Sequence, residues 1–157
     1  MEVYRIAKDS HSEIDGIGGM LYPGRWHEKG NRVVYASEHR SLAAFETLVH
    51  ISKTSLLANK LILMTIYIPD NALILEVPAT ILTKGWDGYA YMSGLQEYGT
   101  QFLKEKKYLM LKVPSAIMKQ ECNFIINPLH DQFGACKVID SVPFLFDERL
   151  FDGKTEN

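Results

Sequence analysis

The stretch RVVYASEHRSLAAFETLVHIS, residues 32–52, decides the reading of this chain. Arg32-Val33-Val34-Tyr35-Ala36 is a short run rich in β-branched and aromatic residues, and it follows the turn residues Gly30-Asn31. It reads as a strand. Ser37 is placed to cap a following helix over residues 38–52, with Glu38 in its first turn. Leu42, Phe45, Leu48 and Val49 supply the apolar face of that helix. At roughly 100° per residue, Glu46 falls beside Leu42 and Val49, inside the apolar stripe. A carboxylate there is costly unless it is paired or borders a cleft. It is either an edge glutamate reaching out to solvent or a catalytic carboxylate at the floor of a pocket.

Strand-like runs lie on both sides of this unit. Val3-Tyr4-Arg5-Ile6 comes first. Leu61 to Ile68 is stopped by Pro69-Asp70-Asn71, and Ala72 to Val77 by Pro78. Tyr108 to Val113, Asn123 to Asn127 and Lys137 to Phe146 follow. Leu95 to Lys107 reads as an amphipathic helix, although Gly99 inside it costs about 1 kcal/mol against alanine. Strands and helices mix without a βαβ rhythm, so the expected class is α+β. There is no internal repeat. One domain over residues 1–151 and a polar tail over 152–157 are expected. Residues 11–30 hold five glycines together with Met20, Leu21, Tyr22 and Trp26. Such a segment reads as an ordered loop that lines a site.

The 157 residues (17.9 kDa) are 46% hydrophobic and 23% charged, as in a soluble globular domain. Net charge is −2, which leaves no basic excess for general nucleic-acid binding. Any anionic ligand must meet a few local arginines. Two cysteines, Cys122 and Cys136, do not make a disulfide framework. The N-terminus shows no secretory signal, and the longest apolar run, Leu61 to Pro69, is about half of the roughly 20 residues a membrane helix needs. A cytoplasmic protein with no membrane contact is expected.

Other residues suggest chemistry individually. Arg25 stands in Pro23-Gly24-Arg25-Trp26, where glycine allows close approach of a ligand and Trp26 offers a stacking surface. The arginine fork suits phosphate, while a surface arginine packed on tryptophan is the plainer reading. Arg5 is a second phosphate-binding candidate or an edge-strand cation. Tyr35 ends a buried-looking strand. Ser115 follows Pro114 without a Gly-x-Ser-x-Gly elbow, so it reads as a positioning hydroxyl. Glu121, Asn123, Asn127 and His130 form a polar cluster explicable as turn and cap chemistry. His50 lies one turn after Glu46, yet a helix-end histidine needs no function. Cys122, His130 and Cys136 lack a zinc spacing, so no metal is expected.

In order along the chain, Tyr4-Arg5, Gly24-Arg25-Trp26, Val33-Val34-Tyr35-Ala36-Ser37, Ala44-Phe45-Glu46 with His50, Val113-Pro114-Ser115, Asn127-Pro128 and Phe146-Asp147 resemble the RES domain family over nearly the whole length. The resemblance implies a fold like that of ADP-ribosyltransferase toxins. It implies the toxin of a type II toxin–antitoxin pair with a Xre-like helix-turn-helix antitoxin, and it leaves a homodimer open. It implies NAD as substrate, with no prosthetic group, cleaved by hydrolysis or phosphorolysis. Transfer of ADP-ribose to a protein, or a non-catalytic nucleotide-binding module, are the alternatives. The family's functional residues map onto Arg5, Arg25, Tyr35, Glu46 and Ser115. By this mapping the arginines hold the pyrophosphate, Tyr35 stacks on nicotinamide, Glu46 stabilises the ribosyl cation and Ser115 bonds the ribose or carboxamide. His27 departs from the asparagine common in the family, and Phe102 from a frequent tryptophan.

Overall fold

The computed structural model describes residues 1–52 and 60–151. The expected tail over 152–157 lies outside the described residues. Among the described residues seven strands form one mixed sheet: β1 (Glu2–Lys8), β2 (Val34–Ser37), β3 (Leu61–Tyr67), β4 (Ile74–Glu76), β5 (Met110–Pro114), β6 (Cys122–Ile126) and β7 (Lys137–Phe144). Among the described residues three α-helices accompany them: α1 (Ile17–Leu21), α2 (Arg40–His50) and α3 (Ser93–Glu105). The strand order is β4-β5-β6-β2-β1-β3-β7. Among the described residues only the β4–β5 pair is parallel. The class is α+β, as the irregular succession of elements predicts.

Alternation along the strands divides the core in two. Leu111, Val113 and Ile125 face α3 and pack with Leu95, Phe102, Leu103 and Trp26. Met110, Phe124, Ile126, Val34, Val3 and Ile66 build the core on the opposite side. β3 is mostly buried on both faces, while the edge strand β7 is exposed along nearly all its length. Pro143 is tolerated there, because an edge strand need not donate on its outer side.

Three details differ from the sequence reading. Ser37 does not cap α2: the strand runs through it, and its hydroxyl donates to Asn123 Oδ1 at 2.7 Å. His39 holds the N-cap position, without a side-chain cap bond. Glu38 lies outside the helix and accepts from the Cys122 backbone N–H at 2.7 Å. The loop over residues 11–30 contains the short helix α1.

Gly99, unfavourable for α3 by propensity, is required by packing. A Cβ there would lie 1.9 Å from the Trp26 carbonyl oxygen. The helix therefore approaches the Gly24–Glu28 segment closely enough for two side-chain bonds. Gln96 Nε2 donates to the Gly24 carbonyl at 2.8 Å, and Glu28 N–H donates to Thr100 Oγ1 at 2.9 Å. These contacts fix the segment that carries Arg25.

Candidate active site

A cleft of about 890 Å³ opens between the Gly18–His27 segment, the face of α2 and the loop around residues 87–91, with β1, β2 and the end of β6 behind it. Arg5, Arg25, Tyr35 and Glu46 all line it. Four of the five predicted site residues thus converge on one cavity. The fifth, Ser115, is fully buried immediately behind Glu46.

Glu46 owes its place to α2, which packs on β1 and β2 and turns the carboxylate toward the end of β6. Its Oε1 accepts from Ser115 Oγ at 2.8 Å and from Asn123 Nδ2 at 2.5 Å. Asn123 is fixed in turn by Ser37, and Ser115 accepts from the N–H groups of Ile117 and Met118 at 3.0 and 3.1 Å. One carboxylate oxygen is thereby immobilised. The other, Oε2, lies 3.9 Å from His50 Nε2. Sequence reasoning put Asn123 in a cap cluster and gave Ser37 a cap role. Ser37 bonds Asn123, and Asn123 bonds Glu46, across separations of 86 and 77 residues, so local pattern assigns neither to the site.

Arg5 and Arg25 supply the positive charge. Arg5 Nη1 donates to the Tyr35 carbonyl at 2.8 Å, and its buried Nε has no hydrogen-bond partner. Burial lowers the pKa of this guanidinium from the usual arginine range. Arg25 donates to the carbonyls of Trp86 and Gly88 at 2.5 and 2.9 Å, and its guanidinium carbon lies 5.4 Å from the Tyr91 ring centre. It ties the 86–91 loop to the cleft. Among the described residues neither arginine is in an ion pair, so both charges are available to an anion. The stacking surface expected of Trp26 is not formed, because its side chain is 3% exposed and belongs to the core under α3.

Tyr35 and His27 form one unit. His27 Nε2 lies 2.8 Å from the Gly19 carbonyl and 3.0 Å from that of Tyr22. Carbonyls only accept, so Nε2 carries the proton. Nδ1 then accepts from the Tyr35 hydroxyl at 2.8 Å, and that hydroxyl accepts from the Trp26 N–H at 3.3 Å. Burial pushes the Tyr35 phenol far above the usual tyrosine range and outweighs the lowering by the Trp26 N–H, so Tyr35 stays a donor. Gly24 is needed beside this pair, since a Cβ there would come within 2.8 Å of both the Tyr35 hydroxyl and the His27 ring.

A sequence model of the RES domain matches residues 2–147. The chain belongs to the RES domain family. Toxin Res of Yersinia enterocolitica is 35% identical, over 96% of this chain and 99% of its own. Toxin Res of Pseudomonas putida is 34% identical over 96% of this chain and all of its own. The Prs ADP-ribosylating toxin of a Sphingobium species is 33% identical over 94% of both chains. Among solved structures, a chain of the M. tuberculosis MbcT–MbcA toxin–antitoxin complex superposes with a TM-score of 0.71, over 92% of this chain and 84% of that one. At 17% identity this likeness is one of fold. In this RES domain His27 joins the Gly19 and Tyr22 carbonyls to the Tyr35 hydroxyl.

Proposed function

We propose that this chain is the toxin of a type II toxin–antitoxin pair, and that it cleaves the nicotinamide–ribose bond of NAD with transfer of ADP-ribose to water or inorganic phosphate. The observation that carries this reading is Glu46, one oxygen held by two donors, in a cleft whose two arginines are in no ion pair among the described residues.

Departure of neutral nicotinamide builds positive charge on the ribose. A carboxylate already oriented before reaction stabilises that charge without reorganising, an effect worth about 100-fold or more in rate. Arg5 and Arg25, which both line the cleft, are suited to the pyrophosphate. Tyr35 lines the cleft, and its hydroxyl is held by His27. Ser115 acts through Glu46 and not on the ribose, because its hydroxyl proton goes to Oε1.

Transfer to a protein acceptor is the second reading, favoured by the Sphingobium relative named an ADP-ribosylating toxin. The toxin–antitoxin complex among the structural neighbours supports an antitoxin partner, and the family points to a Xre-like helix-turn-helix protein. With a net charge of −2, operator contact falls to that partner. The test is incubation of purified protein with NAD, with and without phosphate, followed by mass spectrometry of small molecules and protein. Free ADP-ribose or its phosphate ester supports the first reading, and a mass increment on protein the second. No release of nicotinamide overturns both.

A further inference from the structure

We propose that His50 is the base that takes the proton of the attacking nucleophile. The proposal rests on cleavage of the nicotinamide–ribose bond at Glu46, and it assigns a residue to the step that follows or accompanies bond breaking.

His50 is the last residue of α2, one helical turn beyond Glu46, and both line the same cleft. Its Nε2 lies 3.9 Å from Glu46 Oε2. That is too long for a hydrogen bond. It suits a single hydroxyl oxygen placed about 2.8 Å from each atom. The imidazole is 57% exposed and Glu46 23% exposed, so the gap between them is open to solvent.

The other described cleft-lining groups that might accept this proton are already committed. Both ring nitrogens of His27 are used, by Tyr35 and by two carbonyls. Asp87 is ion-paired with Lys119, whose hydrogen bond holds its carboxyl below the usual range. Glu46 Oε1 already accepts two bonds. Glu46 Oε2 faces the developing positive charge, where accepting a proton would remove the charge it stabilises. A neutral imidazole beside it has no such conflict.

The step balances without another reactant. The C1′–N bond breaks and its electron pair leaves with nicotinamide. A water oxygen forms the new C1′–O bond, and its proton passes to His50 Nε2. A nucleophile that carries no proton, such as azide, bypasses the need for a base.

The experiment is product analysis for His50→Ala against the unaltered chain, with NAD in water alone and in saturating azide. Thermal melting checks the fold. The expected result is a loss of about 100-fold or more in ADP-ribose formation, with the azide adduct formed within a few-fold of the unaltered rate. Added imidazole should restore part of the hydrolysis. Equal loss with both nucleophiles would show a structural role, and no loss with either would show an uninvolved helix-end histidine. Either result overturns the proposal. Glu46→Gln serves as the second variant, because it should lose both products. If it keeps both, the reading of Glu46 fails, whatever His50 does.

Discussion

Ser115 donates its hydroxyl proton to Glu46 Oε1 across 2.8 Å, and it does so with no surface of its own exposed. Ser115 is therefore placed to orient the glutamate. Ser115→Ala should lower kcat about 10- to 100-fold, the equivalent of one hydrogen bond to a charged group, while KM for NAD changes little. It also strips the Ile117 and Met118 N–H groups of their acceptor, so thermal stability should fall. Steady-state kinetics and a melting curve on the same preparation check both.

Asn123 holds the same oxygen from the other side. Asn123→Asp places a second carboxylate against the first and turns a donor into an acceptor. Its loss of NAD cleavage should exceed that of Asn123→Ala, although the aspartate is nearly isosteric. Parallel kcat measurements decide this. A more active Asp than Ala variant would mean that Asn123 only fills space.

Gly99→Ala pits helix propensity against packing. Alanine gains about 1 kcal/mol as a helix former. Its Cβ, however, meets the Trp26 backbone oxygen at 1.9 Å, so the helix and the Arg25 segment must separate. A net destabilisation of about 1–3 kcal/mol is expected, on the scale of overpacking, together with weaker NAD binding. Urea unfolding measures the first and a binding titration the second.

Cys136 gives a pH dependence with a definite sign. Burial pushes its thiol from an ordinary 9.0 to about 11 in the folded chain. Below about pH 9 the thiol is protonated in both states and its contribution to stability is complete. Between about 9 and 11 the unfolded chain sheds the proton and the folded chain keeps it, so stability falls as pH rises through this window. Cys136→Ala should flatten the decline in melting temperature there. At neutral pH the native thiol should react slowly with alkylating reagents.

The legible parts of the fold were those written locally. Residues 32–52 carry a β-rich run and then a 3.6-residue periodicity, and they form β2 and α2. Glu46 stood out because a charge inside an apolar stripe is visible without any partner. What local pattern cannot show is which distant group satisfies that charge. Asn123 lies 77 residues from Glu46, and only the β2–β6 pairing brings Ser37 opposite it. The same distance hid the purpose of Gly99, whose constraint comes from Trp26. Ser37 was misread as a cap because a serine before a helix looks the same whether its hydroxyl turns to the helix or across the sheet.

The central claim is that an oriented Glu46 drives nicotinamide from NAD. The most direct measurement is nicotinamide release by the purified chain beside its Glu46→Gln variant, with melting temperatures for both. The account predicts release by the unaltered chain and a loss of at least about 100-fold in a variant that melts at the native temperature. Near-native turnover by the folded variant would contradict it.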